Sequence, residues 1–345
     1  MRVERSAEPG AEWDAYVERH ADATLAHASA WARVVREAYR LEPVFLSARD
    51  EAGAIAGVLP LVRLRSLRGA LELVSMPYLD TGGVLSDGEA AERALLDAAF
   101  ALAREIGARA LDLRQLAPLR SRAGAGFSDR VDLVLALAAD AEAQWGALSA
   151  KVRNQTRKAE REGLVLAPPE RATAARFLEP FRVNMRDLGS PVHADAFFHA
   201  MARAFGERLR FVVTEREGRP VGGLVAIHYG GSVTVPWAST LRAERARCPN
   251  NQIYWEAIRW AASIGAREFD FGRSPRDAGT YRFKLGWGAR ERPLAWIRFD
   301  PAGRELAASS PRDHGALRRL SELWTRLPLA VASRLGPPLR RRISS

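Results

Sequence analysis

Between Asn250 and Ile264 the apolar positions recur with the period of a buried helix. Ile253, Ala257, Trp260, Ala261 and Ile264 share a face, and Glu256, Arg259 and Ser263 leave only a thin polar stripe. Asn250 and Asn251 stand where they can cap the first amides, and Gly265 stops the helix. Arg267–Phe271 then reads as a strand with Phe269 and Phe271 on one side. A glycine-bounded loop from Gly272 to Gly279 leads to Tyr281-Arg-Phe283-Lys284, then Gly286 and Gly288. Loops at strand ends hold reactive groups on a rigid frame, so this stretch is the candidate site.

Upstream, the same alternation of patterns recurs. Trp13 to Tyr39 predicts two helical pieces, with Trp31, Val34, Val35 and Ala38 facing the core. Phe45–Ala48 and Ile55–Leu64 predict a hairpin around Asp50-Glu-Ala-Gly53. A strand near Leu71–Met76, a turn-rich loop at Pro77–Gly83, a helix over Ala90–Ile106 and a strand at Ala110–Arg114 follow. Ile106-Gly-Ala-Arg-Ala-Leu-Asp-Leu-Arg114 matches Ile264-Gly-Ala-Arg-Glu-Phe-Asp-Phe-Gly272, each at a helix end. Phe45–Gly57 likewise parallels Phe211–Gly222. The chain therefore contains an internal repeat of two α/β units, expected at residues 1–145 and 146–300. Asp112 and Asp270 are equivalent in that repeat and read as structural partners for arginine or backbone N–H groups. The loop carrying Lys284 has no counterpart in the first unit.

Between the units, Ala147–Gly163 predicts a strongly cationic helix with Lys151, Arg153, Arg157, Lys158 and Arg161, which suits an anion such as RNA or nucleotide phosphate. In the second unit, the Gly-Ser-Pro turn after Phe181 presents Arg186 and His193 at its two ends, ahead of an amphipathic helix at Asp195–Phe205. Pro236 inside Val233–Thr240 implies an edge strand or a bulge, from which Trp237 and Ser239 face a cleft. Residues 301–345 form a tail. Leu317, Leu320, Leu323, Trp324 and Leu327 make an amphipathic helix, Pro328, Pro337 and Pro338 break it, and Arg340-Arg-Arg342 closes it. That tail is either docked on the body or in reversible contact with anionic lipid.

Composition sharpens this. The 345 residues include 52 Lys plus Arg against 41 Asp plus Glu, a net charge of +11 that implies anionic company. Lysine occurs only at 151, 158 and 284, so arginine serves nearly everywhere that a cation suffices. A lysine at 284 in that background marks a need for a compact, rotatable ammonium. Cys248 is the only cysteine, which excludes intrachain disulfides and cysteine-based metal sites. The charged N-terminus has no signal-peptide pattern, and no apolar run is long enough to span a membrane, so a cytoplasmic protein is expected, with peripheral contact at the inner membrane face. No Gly-x-Gly-x-x-Gly, P-loop, metal-spaced cluster or nucleophile elbow is present. What remains is transfer chemistry in which the substrate supplies the nucleophile and the protein supplies position and charge. The alternative is a non-catalytic module that binds RNA or an anionic glycan through the basic helix.

The doubled unit, with Asp270-Phe-Gly272, Phe283-Lys284 and Trp287-Gly288, resembles the FemAB-like family of non-ribosomal peptidyl transferases over about residues 25–300. Lys151-Val-Arg-Asn-Gln-Thr-Arg-Lys158, Met185–His193, Pro249-Asn250 and Phe271-Gly-Arg273-Ser274 resemble the subgroup that accompanies exosortase (PEP-CTERM) and exopolysaccharide systems. The resemblance implies an α/β (α+β) fold of two tandem GNAT-like acyltransferase domains. It implies transfer of an aminoacyl or acyl group to an amine of a cell-envelope or exopolysaccharide precursor, with Phe283 and Lys284 at the reaction centre. Lys151, Arg153, Arg157, Lys158, Arg186, His193, Trp237, Ser239, Asn250, Arg273 and Tyr281 are the expected substrate contacts. No tightly bound cofactor or metal is expected. The resemblance implies aminoacyl-tRNA or acyl-CoA as the donor; the chain departs from it in having no heptad-patterned arm for tRNA and no glycine in the turn Arg245–Asn250 that would hold the CoA pyrophosphate.

Overall fold

The computed structural model describes residues 1–122, 130–306 and 311–344. They fall into two compact units, one of Met1–Arg130, Pro293–Ser310 and Leu339–Ser345, the other of Val131–Arg292 and Pro311–Pro338. The first half of the chain runs β1 (Arg2–Ser6), α1 (Ala11–Arg19), α2 (Ser29–Tyr39), β2 (Glu42–Arg49), β3 (Ile55–Arg65), β4 (Leu71–Val74), β5 (Leu85–Ser86), α3 (Glu89–Glu105), β6 (Ala110–Gln115). Next come β7 (Arg130–Ala136), α4 (Ala141–Ala147), α5 (Ala150–Arg161), β8 (Val165–Leu166), α6 (Ala174–Asp187) and α7 (Asp195–Phe205). The hairpin β9 (Leu209–Arg216) and β10 (Arg219–Tyr229) is followed by β11 (Ser232–Thr240), α8 (Pro249–Ser263), β12 (Glu268–Pro275), α9 (Gly279–Gly286), β13 (Arg290–Pro293) and β14 (Ala295–Phe299). Two helices, α10 (Pro311–Thr325) and α11 (Leu329–Arg340), come last.

Each unit is a mixed sheet with helices laid on it. The first sheet has the order β1-β2-β3-β4-β6-β14 with β5 also on β3, and the second the order β13-β7-β12-β11-β10-β9-β8. In both, a hairpin runs antiparallel and the two strands flanking the long helix run parallel, β4 with β6 and β11 with β12. The parallel pairs need a crossover, and α3 and α8 supply it. α3 buries Leu95, Ala99, Phe100 and Ala103 against Leu59, Leu61, Leu111 and Leu113. α8 buries Ile253, Tyr254, Ala257, Ile258 and Ala261 against Leu224, Val233, Phe269 and Phe271. Burying a Leu, Ile or Phe contributes about 1.5–3 kcal/mol each, so these two faces hold the helices to their sheets.

Several details differ from the sequence-based expectation. The units do not meet at residue 145: β7 joins the second sheet, and β14 returns to the first, where it pairs antiparallel with β6. The tail is two docked helices rather than a separate part, and Pro337 and Pro338 lie within α11 instead of ending a single helix. These differences come from pairings between strands far apart in sequence, which periodicity does not record. Pro236 lies beyond the last pair of β11 with β12, Thr234↔Asp270, so only β10 runs alongside it. It occupies a bulge, where Val235 and Pro236 face the single Ala226 between the pairs Val225↔Trp237 and Ile227↔Thr234.

Candidate active site

β11 and β12 stay together only briefly. Their parallel ladder covers Ser232↔Glu268, Val233↔Phe269 and Thr234↔Asp270, after which β11 runs on to Thr240 and β12 to Pro275 without pairing to each other. The bulge at Val235-Pro236 bends β11 at the point of separation, and Pro236 has no N–H to continue a ladder. The gap opens at the carboxyl ends of two parallel strands, where open α/β sheets place their ligands. At the same end, α8 begins. Its cap residue is Cys248, left-handed at φ 60°, with Pro249 next and no side-chain cap. Asn250 and Asn251 therefore lie inside the helix rather than capping it; Pro249 has no N–H, and the Asn251 N–H donates to the Cys248 carbonyl at 3.0 Å. Asn251 is buried, with Nδ2 3.5 Å from Gln155 Oε1 on α5.

On the β12 side, Lys284 is drawn into the protein. Only 7% of it is exposed, and its Nζ donates to the carbonyls of Gly272 at 2.7 Å and Arg273 at 3.0 Å. Gly272 has φ 71°, a left-handed conformation that a side chain would strain, and its N–H donates to Asp270 Oδ1 at 2.7 Å. Asp270 Oδ2 lies 3.1 Å from Arg292 Nη2, and the same guanidinium reaches Asp132 Oδ2 at 2.6 Å. Burial, with Asp132 beside it, pushes the Asp270 carboxyl well above the usual aspartate range despite Arg292. Lysine and acid are thus joined through one residue, Asp270 fixing the Gly272 N–H and Lys284 its C=O. The stretch after Gly279 is a helix, not a loop. α9 points Lys284 inward and packs Phe283 near Tyr254, ring centroids 5.3 Å apart, and Trp287, 6.1 Å apart.

On the β11 side, the structure brings Trp237, Ser239 and His193 into one neighbourhood. Ser239 Oγ accepts from Asn184 Nδ2 of α6 at 2.9 Å, and both residues are buried. His193 is buried as well. It stacks on Phe197 at 4.4 Å and meets Trp237 edge-on at 5.4 Å, so it belongs to an aromatic cluster and not to an exposed turn.

The remaining expected contacts are spread out. Arg153 donates to the carbonyls of Gly146 and Leu148, closing the end of α4, and Arg157 lies over the Trp145 ring at 5.4 Å. Lys151 is exposed and Lys158 half-buried. Arg186 pairs with Asp187 at 2.7 Å, and the Tyr281 hydroxyl donates to Glu291, which also holds Arg276. Arg273 meets Lys284 through its carbonyl, not its guanidinium. Asn184, Asp132 and Arg292 were not legible as site residues. Asp132 and Arg292 are 160 positions apart, and no local pattern links them. The one available signal was the chemistry of an aspartate in a strand facing away from Phe269 and Phe271.

Residues 146–285 match the family model of the acetyltransferase (GNAT) domain. The chain is an acyltransferase by class, with an α/β fold of two GNAT-like domains. Solved structures agree on the fold. FemX superposes with a TM-score of 0.67 at 13% identity, over 84% of this chain and 96% of that one. A conserved protein of unknown function from Bacteroides thetaiotaomicron VPI-5482 gives 0.54 at 12% identity, covering 86% and 98%. A tandem GNAT protein from the clavulanic acid biosynthesis pathway gives 0.50 at 16% identity, covering 90% and 100%. No curated protein matches the sequence.

Proposed function

We propose that the chain is a FemAB-like N-acyl or aminoacyl transferase, and that the second unit carries the reaction in the gap between β11 and β12. The observation that supports this most is the buried Lys284 ammonium, tied to the strand end at the mouth of that gap. The acceptor amine attacks the carbonyl carbon of a thioester or ester donor. A C–N bond forms, the C–S or C–O bond breaks, and the proton lost by the amine leaves with the thiol or hydroxyl. Negative charge gathers on the carbonyl oxygen as the amine adds. A cation already held at fixed geometry in a water-poor site offsets that charge without reorganising. The N-terminus of α8, which carries no side-chain cap, favours the donor's phosphates through the helix dipole, either the pyrophosphate of acyl-CoA or the 3′ end of aminoacyl-tRNA. Trp237 stands on the acceptor side, backed by the buried His193 and Ser239. The acceptor is an amine on a cell-envelope or exopolysaccharide precursor of the exosortase-associated kind, met in the cytoplasm.

Melting-temperature shifts with acyl-CoAs, charged tRNA and nucleotide-sugar precursors identify donor and acceptor. With the active pair in hand, Lys284→Met is expected to fold and lose at least ~100-fold in turnover, the scale of one lost oxyanion donor. Turnover equal to that of the unchanged protein would refute the role of Lys284.

A further inference from the structure

α10 and α11 are built onto the second unit through two close backbone approaches. A Cβ at Gly189, in the α6–α7 connection, would lie 2.1 Å from Ser321 Oγ of α10, and one at Gly336 of α11 would lie 2.8 Å from Val192. Both helices are therefore seated on the connection that precedes His193. Yet they keep apolar side chains in water. Leu320 is 61% exposed, Leu323 59%, Val331 40% and Leu335 46%, and Leu188 beside Ser321 is 58% exposed. A helix that docks by burying its apolar stripe does not leave leucines so open.

The charge on these elements is one-sided. Residues 311–345 carry eight arginines against Asp313 and Glu322, and Arg318, Arg319, Arg326 and Arg334 are exposed. Beside α11, a groove of about 790 Å³ runs between Leu329, Ala330 and Pro337 on one wall and the Arg182–Asp195 ion pair on the other, with Arg334 at its rim.

We propose that the exposed face of α10 and α11, continued by Leu188, is a docking surface for an anionic lipid bilayer. Arginines alone would equally suit the phosphates of RNA. Leucines more than half exposed add nothing to phosphate binding, whereas in a bilayer they leave water and hold the helices at the headgroup boundary. Each arginine near an anionic surface raises partitioning about fivefold, so the four exposed ones suffice for attachment that salt reverses. No helix among the described residues is long and apolar enough to cross a membrane, which fits a surface contact. This inference stands independently of the acyl-transfer reading.

The test is sedimentation of the full chain with phosphatidylcholine vesicles, with and without phosphatidylglycerol, at low and high salt, alongside binding of bulk tRNA. Binding is expected to phosphatidylglycerol vesicles at low salt only. Leu320→Asp/Leu323→Asp should weaken it at least ~10-fold with an unchanged melting temperature, because both side chains already sit in water. Should that pair lower the melting temperature, Leu335→Asp on α11 serves as the second variant, with the same loss expected. Failure of the unchanged protein to sediment with phosphatidylglycerol vesicles at low salt overturns the proposal. So does vesicle binding that ignores the leucine changes and is competed by tRNA, which would assign the face to nucleic acid.

Discussion

In the first unit, the parallel strands β4 and β6 also part company, after Val74↔Asp112, but the chain refills the space itself. Ser75 N–H donates to the Asp112 carbonyl at 2.8 Å, and Gly82 N–H donates to that of Arg114 at 2.7 Å. Arg114, 1% exposed, points its guanidinium into the loop, donates to the Leu79 carbonyl at 2.6 Å and lies over Trp296 at 4.8 Å. Gln115 Oε1 accepts from Val84 N–H, and His27 lies between Thr24 and the Gly83 carbonyl. In the second unit, the repeat puts Gly272 where Arg114 stands in the first. The carbonyl of Gly272 instead receives a lysine from a helix that the first unit lacks. An arginine in the first unit, against a glycine and a lysine-bearing helix in the second, separates a strand end spent on stability from the one where we propose the reaction.

Emptying the first unit's plug should have the largest effect. Arg114→Ala leaves a cavity and an unpaired Leu79 carbonyl, an expected loss of roughly 4 kcal/mol in urea unfolding. Arg114→Met keeps most of the volume and sheds a buried charge whose Nε and Nη2 have no hydrogen-bond partner, so it should cost far less. If the alanine variant is as stable as the wild type, Arg114 is not what closes the first unit.

The two units should also respond to pH with opposite sign. His27 is fully buried, and burial lowers it from 6.5 to about 4. The folded state binds fewer protons there than the unfolded chain. Its contribution is therefore present above pH 6.5 and lost as pH falls toward 4, by roughly 3 kcal/mol in all. His27→Gln should remove that acid sensitivity, seen as unfolding free energies that no longer fall across this window. Asp270 acts the other way. With its carboxyl raised above the ordinary 3.8, the folded state holds the proton more tightly. Stability is present at low pH and declines as pH rises through the raised value, by up to ~1.4 kcal/mol per pH unit. Asp270→Asn keeps an acceptor for Gly272 N–H and should flatten that decline. A wild type whose stability does not fall relative to Asp270→Asn on raising the pH would contradict the shared burial of Asp132 and Asp270.

Much of this architecture was legible. The matched Ile-Gly-Ala-Arg stretches at 106 and 264 exposed the duplication because a helix stop followed by a strand leaves a compact local signature. Ser149 caps α5, accepting from Val152 N–H. What stayed hidden was non-local. α9 reads as a loop in the sequence because glycines flank its 8 residues, about two turns and too short to show a period. The roles of Arg114 and His27 follow from what the fold brings around them, not from their neighbours in sequence. The asymmetry between the units was half visible, in the lysine that only the second contains, while the arginine plug in the first was not.

Hydrogen–deuterium exchange with and without the donor identified by the stability screen tests the comparison most directly. Donor-dependent protection is expected at residues 235–240, at 271–275 and over the first turn of α8, with no change at 75–83 or 110–115. Protection centred on 75–83 and 110–115, with the β11–β12 gap unaffected, would contradict it.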